Sequence, residues 1–481
     1  MDSVSREFPS EESSREESSQ ADLRAGGKEA FTPSALDFVM HTWGCKVNTY
    51  DTGLLQARLP SAGDAPQIKK QGGTLKVHVL NTCAVTEEAS REAARRVRQL
   101  KAREPDAMVV VTGCGAQVDG GIFDTLKGAD LVVANSHKGE IEKLVQDHLE
   151  GKLDSRVFRS NIFRKDELEE GGGFEADHTR AFLKVQDGCN SFCTYCVIPF
   201  ARGKSRSISI ENLVRRANEL HAGGASEIVV TGVHIADYED TSSGTPRGLD
   251  DLIEALLKGT RIPRLRVSSL EPVELSDRLL EMYSDSRMCP HFHLSIQSAC
   301  TATLARMRRR YTAEDVERVF SRIEAKLPKA FIGMDLIVGF PGETDEEFQE
   351  TYERLRRSFW TRIHVFPYSE RPGTKALALE GKVPVSVRQS RAAFIRQLSS
   401  ARFREQALKV IGETRSGLIL KSVKNSDSGE PQYQALTRDY WPVRLKGAGL
   451  QAGFEVQLQL MDFVEPKNGR LDGWIEGRVV L

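Results

Sequence analysis

The chain has 481 residues, of which 40% are hydrophobic and 28% are charged, and its formal net charge is −1. This length predicts about two to four domains, and the composition is typical of a globular protein and not of a fibre or a membrane protein. No apolar run is long enough to cross a bilayer, so no membrane partner is expected. The small net charge excludes a global attraction to nucleic acid and leaves only local basic patches for that purpose.

Residues 1–34 are acidic, rich in serine and without an apolar core. We interpret them as a disordered tail and not as a secretory signal. Without an export signal, the eight cysteines are expected in the reducing cytoplasm. There, metal binding or catalysis is a more common use of cysteine than a disulfide.

Residues 35–150 alternate between short apolar strands and helices. Strands are predicted at LDFVMHTW, LKVHVLN, AMVVVTG and ADLVVAN, with a basic helix from Glu87 to Arg103 after the second of them. This alternation predicts an α/β domain with a doubly wound parallel sheet. The acidic and glycine-rich stretch ELEEGGGFEAD follows within residues 151–177, which we interpret as a linker.

A second alternating series occupies residues 178–411. Its strands are predicted at RAFLKVQDG, EIVVTGV, RLRVSSL, HFHLSIQS, FIGMDLIVGF and RIHVFPYS. Six strand–helix repeats predict a partial α/β barrel of the TIM type, in which chemistry gathers at the carboxyl ends of the strands. Residues 412–481 return to strand-like alternation in ETRSGLILKSV, QYQALTRDYWPVRL, FEVQLQLMDFV and GWIEGRVVL, which predicts a small β-barrel.

Three cysteines lie together directly after the first strand of the predicted α/β barrel. In GCNSFCTYC, Cys189, Cys193 and Cys196 fall within eight residues. A structural zinc site normally has four protein ligands, so three thiolates are too few to close it. An iron–sulfur cluster with four irons and three thiolates leaves one iron open for substrate. The spacing therefore favours such a cluster.

The N-terminal domain has three cysteines at equivalent places without a short motif. Cys45, Cys83 and Cys114 follow its first three predicted strands. Because the carboxyl ends of parallel strands share one edge of a sheet, the three can meet there. They predict a second cluster of the same kind, although three buried small side chains would also fit the pattern. Cys289 and Cys300 are predicted to be packing residues.

The C-x3-C-x2-C spacing on an α/β barrel resembles the radical S-adenosylmethionine superfamily. This resemblance implies that the open iron binds S-adenosylmethionine and that reductive cleavage yields a deoxyadenosyl radical able to abstract hydrogen. With GCKVN, NTCAVT, TGVHIADY, MRRRYT, DLIVGFPGET and FPYSERPGT, the chain from about Leu36 to Leu481 resembles the methylthiotransferase family. That family implies two 4Fe-4S clusters, two S-adenosylmethionine molecules consumed, and a TRAM-like RNA-binding barrel at the C-terminus.

Within the family, GCKVN and HVFPYSERPGT resemble the MtaB-like branch. This branch converts N6-threonylcarbamoyladenosine beside the anticodon of tRNA to its 2-methylthio derivative. The alternatives are isopentenyladenosine in tRNA or a ribosomal protein as substrate, and, outside catalysis, an iron–sulfur electron carrier or an RNA-binding protein. The implied partners are tRNA, an electron donor such as flavodoxin or ferredoxin, and a sulfur donor. Ala236 and the QSAC stretch ending at Cys300 depart from the family pattern.

The resemblance also implies contacts to S-adenosylmethionine at the ends of the barrel strands. The candidates are Thr231, Gly232, His234, Gln297, Arg310 and Gly339. For each of them an ordinary turn, surface or packing role is the alternative reading.

Candidates for RNA contact are the basic helix from Ser90 to Glu104 and the run from Arg306 to Tyr311. Such basic runs are more often solvated faces. In the C-terminal barrel, three aromatic side chains could stack on bases, namely Tyr433, Tyr440 and Trp441.

Overall fold

The computed structural model describes residues 35–59, 74–165, 168, 179–423, 431–447, 449–465 and 473–480. The predicted tail at 1–34 and most of the predicted linker between 166 and 178 lie outside these ranges. Three units are built from the described residues: a parallel sheet with helices, a partial α/β barrel and a closed β-barrel. None of the helices in the described ranges combines the length and the hydropathy that a bilayer crossing requires.

Five parallel strands form the first unit, in the spatial order β1-β2-β3-β4-β5. They are β1 Ala35–Thr42, β2 Thr74–Thr82, β3 Met108–Gly113, β4 Leu131–Ala134 and β5 Val157–Phe158. The helices are α1 Lys46–Arg58, α2 Glu87–Arg103, α3 Cys114–Val118, α4 Gly120–Phe123 and α5 Ile141–Leu149. Helices α1 and α5 cover one face of the sheet and α2 and α4 cover the other. The predicted parallel sheet with helices on its faces is confirmed.

Strand β5 lies inside the segment predicted as a linker. Val157 and Phe158 pair in parallel with Val132 and Val133 of β4, so this part of the chain extends the sheet. A strand of two apolar residues is too short to show the alternation by which strands are recognised in a sequence. The linker prediction is therefore wrong for this segment.

The second unit is a barrel of six parallel strands, as predicted. Strands β6, β8 and β9 form one sheet, and β10, β11 and β12 form another. Two isolated parallel bridges join the sheets: Leu265 of β9 pairs with Met288, which precedes β10, and Leu270, which follows β9, pairs with Leu294 of β10. The strands are β6 Arg180–Asp187, the short antiparallel β7 Arg206–Ser207, β8 Glu227–Gly232, β9 Arg264–Val267, β10 His291–Gln297, β11 Phe331–Val338 and β12 Arg362–Pro367. Strand β12 is an edge strand beside β11, so the barrel is open there.

Eight helices accompany these strands in the described part of the chain. They are α6 Ile198–Arg202, α7 Ile210–Ala222, α8 Leu249–Gly259, α9 Asp277–Met282, α10 Thr301–Arg306, α11 Ala313–Lys326, α12 Asp345–Arg357 and α13 Val385–Val410. Helix α13 runs beside the free edge of β12. The Ser399 hydroxyl accepts a hydrogen bond from the Ile363 amide at 2.9 Å and donates one to the Ile363 carbonyl at 3.1 Å. This contact caps an edge whose polar groups would otherwise lack strand partners.

The third unit is a closed barrel in the order β13-β14-β15-β17-β16, which confirms the predicted small β-barrel. Its strands are β13 Thr414–Val423, β14 Gln432–Thr437, β15 Pro442–Lys446, β16 Glu455–Val464 and β17 Trp474–Val479. The stretch QYQALTRDYWPVRL contains two of them. They are separated by a turn in which Tyr440 has a φ of 74°.

This turn joins the small barrel to the α/β barrel. The Trp441 ring is buried against Phe331, at 5.2 Å between centroids, and Tyr440 stacks on His291 at 3.8 Å. The prediction that Tyr440 and Trp441 offer stacking surfaces to RNA is therefore wrong, because both rings are used between domains. Tyr433 is half-buried against the core of its own barrel. The period-two alternation of a strand shows which side chains share a face of the sheet, but it does not show whether solvent or another domain covers that face.

Candidate active site

The three N-terminal cysteines lie at the carboxyl edge of the first sheet, where Cys45 follows β1, Cys83 follows β2 and Cys114 follows β3. The loop before Cys45 depends on Gly44, which has a φ of 105°. A β-carbon at Gly44 would lie 2.9 Å from the Cys83 sulfur. Only glycine lets this loop approach Cys83 so closely without strain.

The polar surroundings of these sulfurs suit thiolate ligands. The Asn135 side-chain amide is 3.6 Å from the Cys114 sulfur, at a position where it donates to it. Burial raises the pKa of the Cys83 thiol to about 12, with smaller contributions from the neighbouring Cys114 and Cys45. This thiol is therefore expected to ionise when a metal binds it.

The second set of cysteines lies on the loop after β6. Gly188, which precedes Cys189, has a φ of 79°, and a β-carbon there would lie 1.9 Å from the Lys204 carbonyl oxygen. The Cys196 amide donates a hydrogen bond to the Cys193 carbonyl at 3.0 Å. These two constraints hold the chain in a compact loop that carries all three thiols.

Hydrogen-bond donors also face the sulfurs of this loop. The Ser191 amide lies 3.4 Å from the Cys189 sulfur, and an Arg309 guanidinium nitrogen lies 3.5 Å from the Cys193 sulfur. Against the effect of burial, hydrogen bonds from His234 and Ser191 lower the pKa of the Cys189 thiol. Donors aimed at sulfur stabilise thiolate ligands and tune the metal that they hold.

In neither cysteine set do all three sulfurs lie within 4.8 Å of one another, whereas Cys189, His234 and Asp237 do form a group of that size. A cluster of four irons distributes its thiolate ligands over several metal atoms, so it does not require the three sulfurs to converge on one point.

The predicted cofactor contacts at the end of β8 lie close to the cysteine loop. The His234 imidazole is 3.8 Å from the Cys189 sulfur and 3.1 Å from an Asp237 carboxylate oxygen, and it also pairs with Glu274. Thr231 is buried, with its hydroxyl 3.5 Å from that of Ser268. The roles of Thr231 and His234 in cofactor binding stay predictions, and both residues lie close enough to the cysteine loop for such a role.

Gly232 is packed against the Gln186 backbone, because a β-carbon there would lie 3.0 Å from the Gln186 carbonyl oxygen. The Gln186 side-chain oxygen accepts hydrogen bonds from the amides of Val233, at 3.1 Å, and His234, at 2.9 Å. Gln186 therefore holds the loop that carries His234. The sequence analysis missed it because it lies inside a strand.

The other three predicted cofactor contacts are Gln297, Gly339 and Arg310, and none of them forms a hydrogen bond with a cysteine sulfur in the described part of the chain. Gln297 has a φ of 60° and lines a cavity beside the cysteine loop. Gly339 packs against helix α13, where a β-carbon would lie 2.4 Å from the Arg388 side chain. Arg310 is exposed, and the neighbouring Arg309 is the arginine that reaches Cys193.

Two charged residues beside the cysteine loop were missed. Glu271 pairs with Arg309 and lies 3.6 Å from the His234 imidazole. Glu271 follows the end of β9, so its position at the carboxyl edge of the barrel was a usable signal. Arg309 lies in the run RMRRRY, where the basic character favoured a surface role.

A cavity of about 200 Å³ lies between the two cysteine sets. Val85 and Thr86, shortly after Cys83, form one wall, and Tyr195, directly before Cys196, forms another. The remaining lining residues come from the ends of β10, β11 and β12, namely Gln297, Asp335, Ile337, Phe366, Pro367, Tyr368 and Ser369. The cavity therefore has a predicted cluster site on each side.

Buried ion pairs fix the two cysteine-bearing domains against each other. Asp51 of α1 accepts hydrogen bonds from Lys138 at 3.1 Å, from Lys184 of β6 at 2.8 Å and from Arg202 of α6 at 3.1 Å. A further interdomain pair joins Arg371 to Asp119. These pairs hold the N-terminal domain against the α/β barrel.

Comparisons with known proteins agree with this architecture. Residues 183–355 match the radical SAM superfamily, and residues 37–134 match the uncharacterized protein family UPF0004. A radical S-adenosylmethionine methyltransferase from Kitasatospora setae has a similar fold, with a TM-score of 0.50 and 13% identity over 72% of this chain and 77% of that chain. The barrel and its cysteine loop thus define a radical S-adenosylmethionine protein.

Curated relatives are similar over most of the chain. A threonylcarbamoyladenosine tRNA methylthiotransferase of Aquifex aeolicus is 37% identical over 84% of this chain and 96% of its own length. The Bacillus subtilis protein of the same name is 32% identical over 89% of this chain and 94% of its own length. A tRNA-2-methylthio-N(6)-dimethylallyladenosine synthase of Desulfotalea psychrophila is 31% identical over 79% and 88%. The chain belongs to the methylthiotransferase family of radical S-adenosylmethionine enzymes.

Proposed function

We propose that this enzyme converts N6-threonylcarbamoyladenosine beside the anticodon of tRNA to its 2-methylthio derivative. The observation that carries the proposal is the cavity with a three-thiol site on each side. Insertion of a methylthio group needs a radical generator and a sulfur-carrying site that face the same carbon atom. The cavity between Val85, near Cys83, and Tyr195, beside Cys196, is placed for that geometry.

We propose that Cys189, Cys193 and Cys196 hold one cluster and that Cys45, Cys83 and Cys114 hold the other. When bound, the clusters and S-adenosylmethionine supply the radical, the sulfur and the methyl group. The chain's own residues orient these groups.

Charged side chains beside the cysteine loop suit the cofactor's own charges. The carboxylates of Glu271 and Glu274 pair with Arg309 and His234 beside the loop, and they would balance positive charge on S-adenosylmethionine when it is bound. Arg309 is placed to neutralise negative charge on the cluster.

The choice of the threonylcarbamoyl substrate is supported by two observations. The relatives from Aquifex aeolicus and Bacillus subtilis both carry that name, and the dimethylallyladenosine relative is 31% identical. The cavity lining also mixes apolar walls with polar groups, including Asp335, Gln297 and Ser369. A threonylcarbamoyl group offers several hydrogen-bonding atoms to such groups, whereas a prenyl group offers none.

The small C-terminal barrel is proposed to bind tRNA. Tyr440 and Trp441 are not available for stacking, but another part of this barrel is: a groove of about 260 Å³ contains an aromatic ring with cationic side chains around it. The Arg444 guanidinium lies 3.5 Å from the centroid of the Trp474 ring. Lys446 and Arg478 line the same groove. Stacking surfaces beside cations are typical of single-stranded RNA sites.

The test is an anaerobic reaction of the reconstituted enzyme with S-adenosylmethionine, sulfide and a reductant such as reduced flavodoxin. One arm contains tRNA with N6-threonylcarbamoyladenosine, and the other contains tRNA with isopentenyladenosine. Nucleoside mass spectrometry should show the 2-methylthio product in the first arm. Product in the second arm alone would support the alternative substrate, and cofactor cleavage without product in either arm would overturn the proposal.

A further inference from the structure

A second cavity lies next to the one between the cysteine sets. It has a volume of about 220 Å³ and is formed between strand β12 and helix α13. Phe366 lines both cavities, and 41% of its surface is exposed. The two cavities therefore meet at one exposed aromatic ring at the open edge of the barrel. We call the second cavity the edge groove; its lining residues are Arg362, Ile363, His364, Val365, Phe366, Arg396, Ser399 and Ser400.

The edge groove is lined by basic side chains, whereas the cavity between the cysteine sets has apolar, polar and acidic side chains in its lining. Arg362 and His364 of β12 and Arg396 of α13 line it, and none of its lining residues within the described chain is acidic. Arginine side chains with no carboxylate among them are typical phosphate ligands. The groove is therefore complementary to an anion.

Arg396 differs from the other arginines of its helix. Within the described part of the chain it has no carboxylate partner, whereas the other four arginines of α13 do. Those pairs are Arg388 with Glu370, Arg391 with Glu343, Arg402 with Glu405 and Arg404 with Glu465. An arginine that lines a groove without a carboxylate partner is available to an external anion.

The alternation of β12 places the aromatic and basic groups on one side of the strand. Arg362, His364 and Phe366 are separated by two residues each, so they share a face. At about 3.3 Å per residue, His364 lies about 7 Å and Arg362 about 13 Å from Phe366 along the strand. A base stacked on Phe366 would thus have its flanking phosphates on the same face as the basic side chains of β12.

We propose that the edge groove binds the RNA backbone next to the adenosine that enters the cavity, with Arg396 on a phosphate and Phe366 stacked on a base. This inference rests on the proposed function and deepens it, since it names the route by which the tRNA anticodon loop reaches the cavity. Phosphate contacts position the strand, and the base that is modified must leave its stack to reach the reacting atoms.

The test uses full-length reconstituted enzyme and tRNA that carries N6-threonylcarbamoyladenosine. Binding is measured by fluorescence anisotropy at salt concentrations from about 50 to about 200 mM, a range in which affinity that depends on phosphate contacts falls steeply. Arg396→Ala should bind several-fold more weakly. Its plot of log affinity against log salt should be shallower by about 0.7–1, the loss of one phosphate contact. The matched control is Arg404→Ala, on the same helix and outside the groove, which should keep the wild-type slope.

Phe366→Ala should weaken tRNA binding about fivefold or more, since stacking of a base on an aromatic ring is lost. Phe394→Ala removes another exposed ring from α13 outside the groove and should have little effect. The Tm and the iron content of reconstituted Arg396→Ala should match those of the wild type, which checks its folding. Wild-type slope and affinity in Arg396→Ala and Phe366→Ala, while the wild-type enzyme forms product, would overturn the edge groove alone. Absence of product from the wild-type enzyme would instead overturn the proposed function.

Discussion

Lys184 and Asp51 form a buried ion pair of 2.8 Å, although 133 residues separate them in sequence. The pair joins the first strand of the α/β barrel to the first helix of the N-terminal domain. Lys138 and Arg202 contact the same carboxylate. The Asp187 carboxylate also pairs with Lys184 and Arg202, so two carboxylates face three buried cations where the two domains meet.

Asp51→Ala is expected to destabilise the protein strongly. It leaves three buried cations without this carboxylate, and removing one partner of a buried ion pair typically costs about 3–5 kcal/mol. Thermal unfolding of the reconstituted enzyme, followed by circular dichroism, should show a clear fall in Tm. As a control, Glu465→Ala removes a partner of the exposed Arg404 and should change stability by about 1 kcal/mol or less. Equal effects of the two substitutions would contradict the assigned importance of the buried cluster.

The two cysteine sets are expected to separate in function. Anaerobic reconstitution should give about eight irons per chain, and either Cys193→Ala or Cys83→Ala should reduce that number to about four. Cys193→Ala should abolish cleavage of S-adenosylmethionine, whereas Cys83→Ala should keep cleavage and stop thiolation of tRNA. Cys300→Ala, at a buried cysteine outside both sets, should keep full iron content. Loss of cleavage in Cys83→Ala to the extent seen in Cys193→Ala would argue against separate roles.

Gly188→Ala should prevent assembly of the cluster on the loop after β6. The added β-carbon would lie 1.9 Å from the Lys204 carbonyl oxygen, so the loop must move. Gly244→Ala is the matched control, because Gly244 also has a positive φ, of 83°, but has open space around it. Iron analysis should show about half of the wild-type content in Gly188→Ala and full content in Gly244→Ala. A full complement of iron in both variants would show that the loop tolerates the movement.

The stability of the α/β barrel should depend on pH through Glu227. Although burial opposes ionisation, Arg266 and Arg264 lower the pKa of this carboxyl, with a further contribution from Arg180. A lowered folded-state pKa means that the stabilisation is complete above about pH 4.3, the unfolded value, and is lost as the pH falls. Glu227→Gln should therefore have a lower Tm than the wild type at pH 7.

The difference in Tm between Glu227→Gln and the wild type should become smaller below about pH 4. The buried thiol of Cys289, 4.0 Å from the Glu227 carboxylate, stays neutral over this range because burial raises its pKa. Glu324→Gln changes an exposed carboxyl on α11 and serves as the control. A difference in Tm that stays constant as the pH falls from about 5 to about 3 would rule out the assigned role of the carboxylate.

Substitutions in the groove of the C-terminal barrel are expected to weaken tRNA binding without loss of cofactor cleavage. Trp474→Ala removes the ring beneath Arg444, and Lys446→Ala removes a cation of the same groove. Point substitutions are better suited than removal of residues 413–481, because that deletion would expose Phe331, which Trp441 covers. Anisotropy titrations with tRNA should show weaker binding for both variants, and Lys446→Ala should also show a shallower salt dependence. Unchanged affinity in both would count against an RNA-binding role for this barrel.

Much of the architecture could be predicted from local pattern. The strands that precede Cys45, Cys83, Cys114 and Cys189 are rich in apolar residues, and the stretches predicted for them agree with the observed strands to within one residue at each end. Because parallel strands share one carboxyl edge, the sequence was enough to bring each cysteine set together. The positions of the cysteines in the sequence likewise predicted three thiolate ligands for each site.

What the sequence alone determined was thus the order of strands and the number of thiols at each site. Tertiary structure decided which charged groups surround those thiols, as with Arg309 beside Cys193, and which aromatic rings are exposed, as with Tyr440 and Phe366. The physical reason is that strand formation and cysteine spacing are local properties of the chain. A contact such as that of Lys184 with Asp51 depends on how separate domains pack, and no local periodicity encodes it.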